Sequence, residues 1–162
     1  MRRILTLLAL AAMVSTAGAA AQTPDFSGTW KINLIKSDAP PPGRGGQQMD
    51  MSNLMLTITQ TAEAFTIVQS GMGPERTSTY FLDGRESTNP GMRGGDMKTT
   101  STWDGAKLVT EGKATMEGQQ GPMTMTWHEE RTLSDDGKTM NVSTTTDTPM
   151  GKRTMKRVFE KQ

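Results

Sequence analysis

The stretch Met97-Lys98-Thr99-Thr100-Ser101-Thr102-Trp103-Asp104-Gly105-Ala106-Lys107-Leu108-Val109-Thr110 decides the fold class. Two runs rich in β-branched and aromatic residues flank Asp104-Gly105, a pair suited to the positive φ angles of a two-residue hairpin turn. The same device recurs. Asp83-Gly84 and Asp136-Gly137 also separate strand-like runs, while Thr61-Ala62-Glu63, Gly71 to Pro74, Gly118 to Pro122 and Pro149 to Gly151 supply further short connections. Strands are therefore expected near 27–36, 53–60, 64–70, 75–82, 97–103, 106–116, 122–133, 138–147 and 152–160.

Period-two alternation within these runs supports the assignment, and no window sustains the period of a helix. Trp30, Ile32 and Leu34 alternate with Lys31, Asn33 and Ile35. Leu54, Leu56 and Ile58 alternate with Met55, Thr57 and Thr59. Met123, Met125 and Trp127 alternate with Thr124, Thr126 and His128, and Met140 and Val142 with Asn141 and Ser143. The 25 threonines fall largely in such runs, where β-branching favours extended backbone. Each strand so patterned has one buried and one wet face, as antiparallel sheets allow. Eight or nine hairpin-linked strands in an open sheet would leave two unpaired edges. Closure into an all-β, antiparallel up-and-down β-barrel removes both, and a barrel of that size has room for side chains or one small ligand.

Two segments interrupt the meander. Residues 38–50 carry Pro40-Pro41-Pro42 and Gly43-Arg44-Gly45-Gly46, and residues 86–96 carry Asn89-Pro90-Gly91 and Gly94-Gly95. Both are expected to be long loops, a class that serves either as lids or as loosely ordered insertions.

The N-terminus has the layout of a cleavable signal peptide over residues 1–21. Arg2 and Arg3 precede an apolar run from Ile4 to Val14, too short for a stable membrane anchor, and Ala19-Ala20-Ala21 offers a processing site before Gln22. Residues 22–162 then form a single domain, expected in the periplasm or outside the cell, with no membrane span and as a monomer. Loss of Arg2 and Arg3 takes Lys+Arg from 18 to 16 against 17 Asp+Glu, so the exported domain is near neutral. It lacks the basic footprint that nucleic-acid binding requires. The basic residues Lys152, Arg153, Lys156 and Arg157 read as a solvated strand face. Cys is absent, so no disulfide holds the domain together and closure around a core must do so.

The segment Asp25-Phe26-Ser27-Gly28-Thr29-Trp30 resembles the start of the lipocalins and wider calycins, where Gly-x-Trp opens the first strand and the Trp plugs the base of an eight-stranded barrel. With Lys31, Asn33, Lys36 and Ser37, and with Leu82-Asp83-Gly84, residues 86–90, Trp103-Asp104-Gly105 and residues 133–138, the chain is similar to small secreted bacterial proteins with a lipocalin-like domain. The resemblance implies a small-molecule barrel. It also implies a late arginine stacked on the Trp, for which Arg153 or Arg157 is available. The Thr-Asp-Tyr motif of true lipocalins is missing.

Candidate ligand contacts are Trp30, Trp103, Met123, Met125 and Trp127. An inward Trp30 is core before it is a ligand contact, and Trp103, beside a tight turn, caps a barrel end. Met123, Met125 and Trp127 share one face and would line a cavity if the barrel is hollow.

Catalytic patterns are missing. No Gly-x-Ser-x-Gly elbow accompanies the sole histidine, His128, and Thr132 occupies the position where a zinc-binding His-Glu-x-x-His would need its second His. Adjacent Glu129 and Glu130 point to opposite faces of a strand and cannot share a substrate. Methionine, at 14 residues, suits Cu(I) or Ag(I), but alternation turns His128 away from Met123 and Met125. The sequence therefore points to an exported barrel holding a small apolar or amphipathic molecule, without catalysis, metal or cofactor. A cell-envelope structural or protein-interaction module acting through the two loops is the alternative, with a methionine-based Cu(I)/Ag(I) binder a third.

Overall fold

The structure, a computed structural model, describes residues 23–40, 50–91, 95–118, 121–148 and 151–162. The expected signal peptide and most of the loop at 38–50 lie outside the described residues. The strands are β1 (Gly28–Ile32), β2 (Met55–Gln60), β3 (Ala64–Ser70), β4 (Arg76–Phe81) and β5 (Glu86–Pro90). They continue with β6 (Asp96–Asp104), β7 (Lys107–Gly118), β8 (Gly121–Leu133), β9 (Thr139–Thr148) and β10 (Gly151–Lys161).

They form one antiparallel sheet in the order β4-β3-β2-β1-β10-β9-β8-β7-β6-β5, so β1 pairs with β10 and the sheet curls into a nearly closed barrel. Strand positions follow the expected meander with two corrections. The barrel has ten strands, not eight or nine, because residues 86–90 form β5 where a loop was expected. Ser87 and Asn89 are its buried positions, so its inward face is polar and leaves no apolar alternation to read. In addition, β1 ends at Ile32. Asn33 Oδ1 accepts hydrogen bonds from the amides of Ile35 and Lys36, which turns the chain and leaves Leu34 and Ile35 outside.

Asp83-Gly84, Asp104-Gly105 and Asp136-Gly137 each place the glycine at positive φ, the conformation for which these pairs were read as turns. The first of these turns does not bring its strands into a backbone ladder. Between β4 and β5 the barrel is joined by side chains: Asn89 Oδ1 accepts from the Thr79 amide at 2.7 Å, and Asn89 Nδ2 donates to the Thr79 carbonyl at 2.8 Å. Ser87 Oγ accepts from the Phe81 amide at 2.8 Å. These three bonds satisfy edge groups that a ladder would otherwise pair.

One end of the barrel is solid. Phe26, Trp30, Phe65, Leu108 and Met140 are fully buried there, with Phe26 edge-on to Phe65 at 5.8 Å and stacked on Trp103 at 6.1 Å. The segment before β1 crosses this end, held by the Phe26 amide on Gln60 Oε1 and by Trp30 Nε1 donating to the Phe26 carbonyl at 2.8 Å. The cation over Trp30 is Lys161, 5.2 Å from the ring centre, and not Arg153 or Arg157. Register explains the replacement, since Lys161 lies directly opposite Trp30 in the β1–β10 pair.

Candidate functional site

Above the plug the interior opens into a cavity of about 240 Å³. Liquid water takes about 30 Å³ per molecule, so the space exceeds a bound water or two, yet it sits below the usual range for drug-sized ligands. One part of its wall is apolar, from Leu56, Ile67, Val142 and Phe159. Polar lining residues are interleaved with it: Tyr80, Thr110, Glu129, Arg131, Arg157 and Arg76, with Arg131 and Arg157 on either side of Val142.

Strand alternation puts the charges inside. In β8 the inward positions run Met123, Met125, Trp127, Glu129 and Arg131, and Arg131 faces Val142, which in turn faces Arg157 on β10. Glu129 and Glu130 do point to opposite faces. Glu129 Oε1 lies 2.6 Å from Arg131 Nη2, both side chains nearly buried, and Glu129 Oε2 accepts from the Thr144 hydroxyl. Glu130 is outside, paired with Lys107 at 2.8 Å. Arg131 also stands over the Phe65 ring at 5.5 Å, which joins the polar wall to the plug.

Arg157 is the unbalanced member. The reading of 152–157 as a solvated face fails for this residue, because its side chain enters the barrel between Val142 and Phe159. Its Nε is buried without a hydrogen-bond partner among the described residues. Burial lowers its pKa, the charge of Glu129 works against that shift and Arg131 adds to it. A guanidinium stays protonated in any case, so the cost is carried as unsatisfied charge. Tyr80 is pushed up, chiefly by burial. Around Val142 two arginines, Arg131 and Arg157, share the one carboxylate of Glu129 among the described lining residues.

Of the residues expected at a ligand site, Trp127 is on the cavity wall. Its indole occupies the space beside Gly112, where a Cβ would come within 2.0 Å of the ring. Glycine at that rung is what admits the ring. Trp30 and Trp103 belong to the plug below, and Met123 and Met125 lie half-buried on the inner face of β8 beyond Trp127. The structure brings Trp127 together with Glu129, Arg131 and Arg157, residues the sequence reading did not put at a site. Their signal was present: Glu129 and Arg131 share the parity of Trp127, and Arg157 that of Phe159.

His128 is outside with its Nδ1 2.5 Å from Glu111 Oε1, on the face opposite Met123 and Met125. No group of three His, Cys, Asp or Glu suited to a metal occurs among the described residues. No described helix is long and apolar enough to cross a membrane.

No protein-family model and no curated protein matches the sequence. Solved structures do match in fold. A zebrafish ileal bile acid-binding protein complexed with cholic acid aligns at 18% identity with a TM-score of 0.60, over 85% of this chain and 98% of that one. A fatty acid transporter, REP1-NXSQ, aligns at 16% identity with a TM-score of 0.58, over 85% and 96%. A secretary abundant heat soluble protein from Ramazzottius varieornatus aligns at 16% identity with a TM-score of 0.60, over 88% and 100%. The likeness is one of fold. What the comparison shows is the shared architecture, an antiparallel, nearly closed β-barrel.

Proposed function

We propose that this protein is an exported carrier that holds one small amphipathic anion inside its barrel, without catalysing a reaction on it. The single observation that carries this reading is Arg157, a partly buried cation on the cavity wall whose Nε is buried and unmatched among the described residues. A buried charge is expensive unless it is paired, and Glu129 is already committed to Arg131 and Thr144. A carboxylate or sulfonate bound beside Arg157 would meet that need, while Leu56, Ile67 and Phe159 take an apolar body. The bile-acid and fatty-acid proteins that share the fold carry molecules of this description, which supports the same class of cargo here.

The test is calorimetric titration of the purified protein with octanoate, octanol and octylamine, which share a chain and differ in charge. Octanoate is expected to bind with octylamine at least tenfold weaker, and Arg157→Gln to weaken octanoate by about tenfold or more, the scale of a lost charge-assisted hydrogen bond. Equal binding of all three, or none by octanoate, would overturn the reading.

A further inference from the structure

The wall of the barrel is uneven. Strands β1 to β5 have five to seven residues, whereas β7, β8, β9 and β10 have 12, 13, 10 and 11. The excess lies at the open end. From Trp127, at the cavity, β8 runs on for six residues to Gly121, about 20 Å at about 3.3 Å per residue.

On β6, β7 and β8 the inner face of this extension is apolar and continuous with the cavity, while on β9 and β10 the row of Trp127 continues to Thr146 and Arg153. In one cross-strand row Met97 on β6 faces Ala114 on β7, and Ala114 faces Met125 on β8. Met97 lines the cavity, and Ala114 is buried. The row lies directly beyond the one that holds Gly112 and Trp127. Met123 follows at the next inward position, and it and Met125 are half-buried while the alternate residues Pro122, Thr124 and Thr126 are exposed. Alternation of this kind, kept up past the end of the enclosed cavity, maintains an apolar track where no core remains to be filled. Methionine suits such a track because its unbranched thioether adapts to flexible, variable partners.

We infer that the cargo extends out of the cavity, its alkyl tail lying along Met97, Ala114, Met125 and Met123 while its anionic head stays beside Arg157. This inference rests on the proposed anion site and adds the length of the molecule. The cavity of about 240 Å³ encloses only the head and the first part of a chain, and the methionine track accommodates the rest.

Titration with octanoate, decanoate, dodecanoate and tetradecanoate, each below its micelle concentration, reads this directly. The quantity of interest is the ratio of tetradecanoate to octanoate affinity within one protein. Each buried methylene strengthens binding about fourfold, so even a half-covered tail is expected to give a ratio above about tenfold. The double variant Met123→Ser with Met125→Ser should bring the ratio close to one. Met125→Leu, which keeps an apolar side chain, should retain it. A ratio near one in the unaltered protein, or a high ratio that survives the double serine variant, would overturn the tail site while leaving octanoate binding intact. Absence of octanoate binding in the unaltered protein would instead overturn the anion site and this inference together.

Discussion

The carboxamide of Asn89 on β5 does for Thr79 on β4 what a neighbouring backbone would do, accepting from its amide at 2.7 Å and donating to its carbonyl at 2.8 Å. Thr79 faces Thr66 on its other side, so β5 is the only source of partners for these two groups among the described residues. Asn89→Ala would strand both. A fully buried unsatisfied polar group costs about 1–3 kcal/mol, and because these two are only part-buried a combined loss of about 2–4 kcal/mol is expected in denaturant unfolding. Amide exchange at Thr79 and Phe81 should accelerate before exchange elsewhere in the sheet. Exchange at these two amides no faster than at β8 would show that the seam does not depend on Asn89.

His128 gives the fold a pH dependence that can be checked from outside the cavity. The hydrogen bond that His128 Nδ1 donates to the Glu111 carboxylate raises its pKa, slight burial opposes the shift, and Glu130 adds to it. A group whose folded pKa lies above its unfolded value stabilises the protein fully below the unfolded pKa, about 6.5 for histidine, and loses that contribution as pH rises through the folded value. Stability should therefore fall over that window. An NMR titration should place the His128 midpoint above 6.5, and Glu111→Gln should lower it toward the ordinary value. A midpoint unchanged by Glu111→Gln would assign the shift to another neighbour.

The strands that enclose the apolar half of the barrel were legible because their two faces differ in kind: Leu56 and Ile58 against Thr57 and Thr59, Met140 and Val142 against Asn141 and Ser143. The turns were legible because Asp-Gly pairs carry their own geometry. β5 was not, since Ser87 and Asn89 are buried for hydrogen bonding and not for hydrophobicity, and a polar inward face looks like a loop. The charged wall escaped for a related reason. Arg131 and Arg157 are residues that normally lie in water, and only their parity with Trp127 and Phe159 places them inside. Parity outranks residue type when a barrel is hollow, because a cavity tolerates inward charge that a packed core would reject.

Glu129 separates what holds the barrel together from what the barrel binds. Its carboxylate neutralises Arg131 at 2.6 Å and anchors Thr144 of the next strand, so Glu129→Gln leaves a nearly buried guanidinium without its counter-charge. Breaking such a pair from one side costs about 3 kcal/mol or more, and an unfolding midpoint lowered accordingly is the expected outcome. Anion binding should respond in the opposite direction. With Glu129 neutral, the only negative charge among the described lining residues is gone while Arg131 and Arg157 remain, so octanoate should bind more tightly than to the unaltered protein. The two effects oppose each other in a thermal scan with excess octanoate, where bound anion restores part of the lost stability. A variant that is less stable and also binds octanoate more weakly would show that Glu129 orders the arginines for the ligand instead of competing with it.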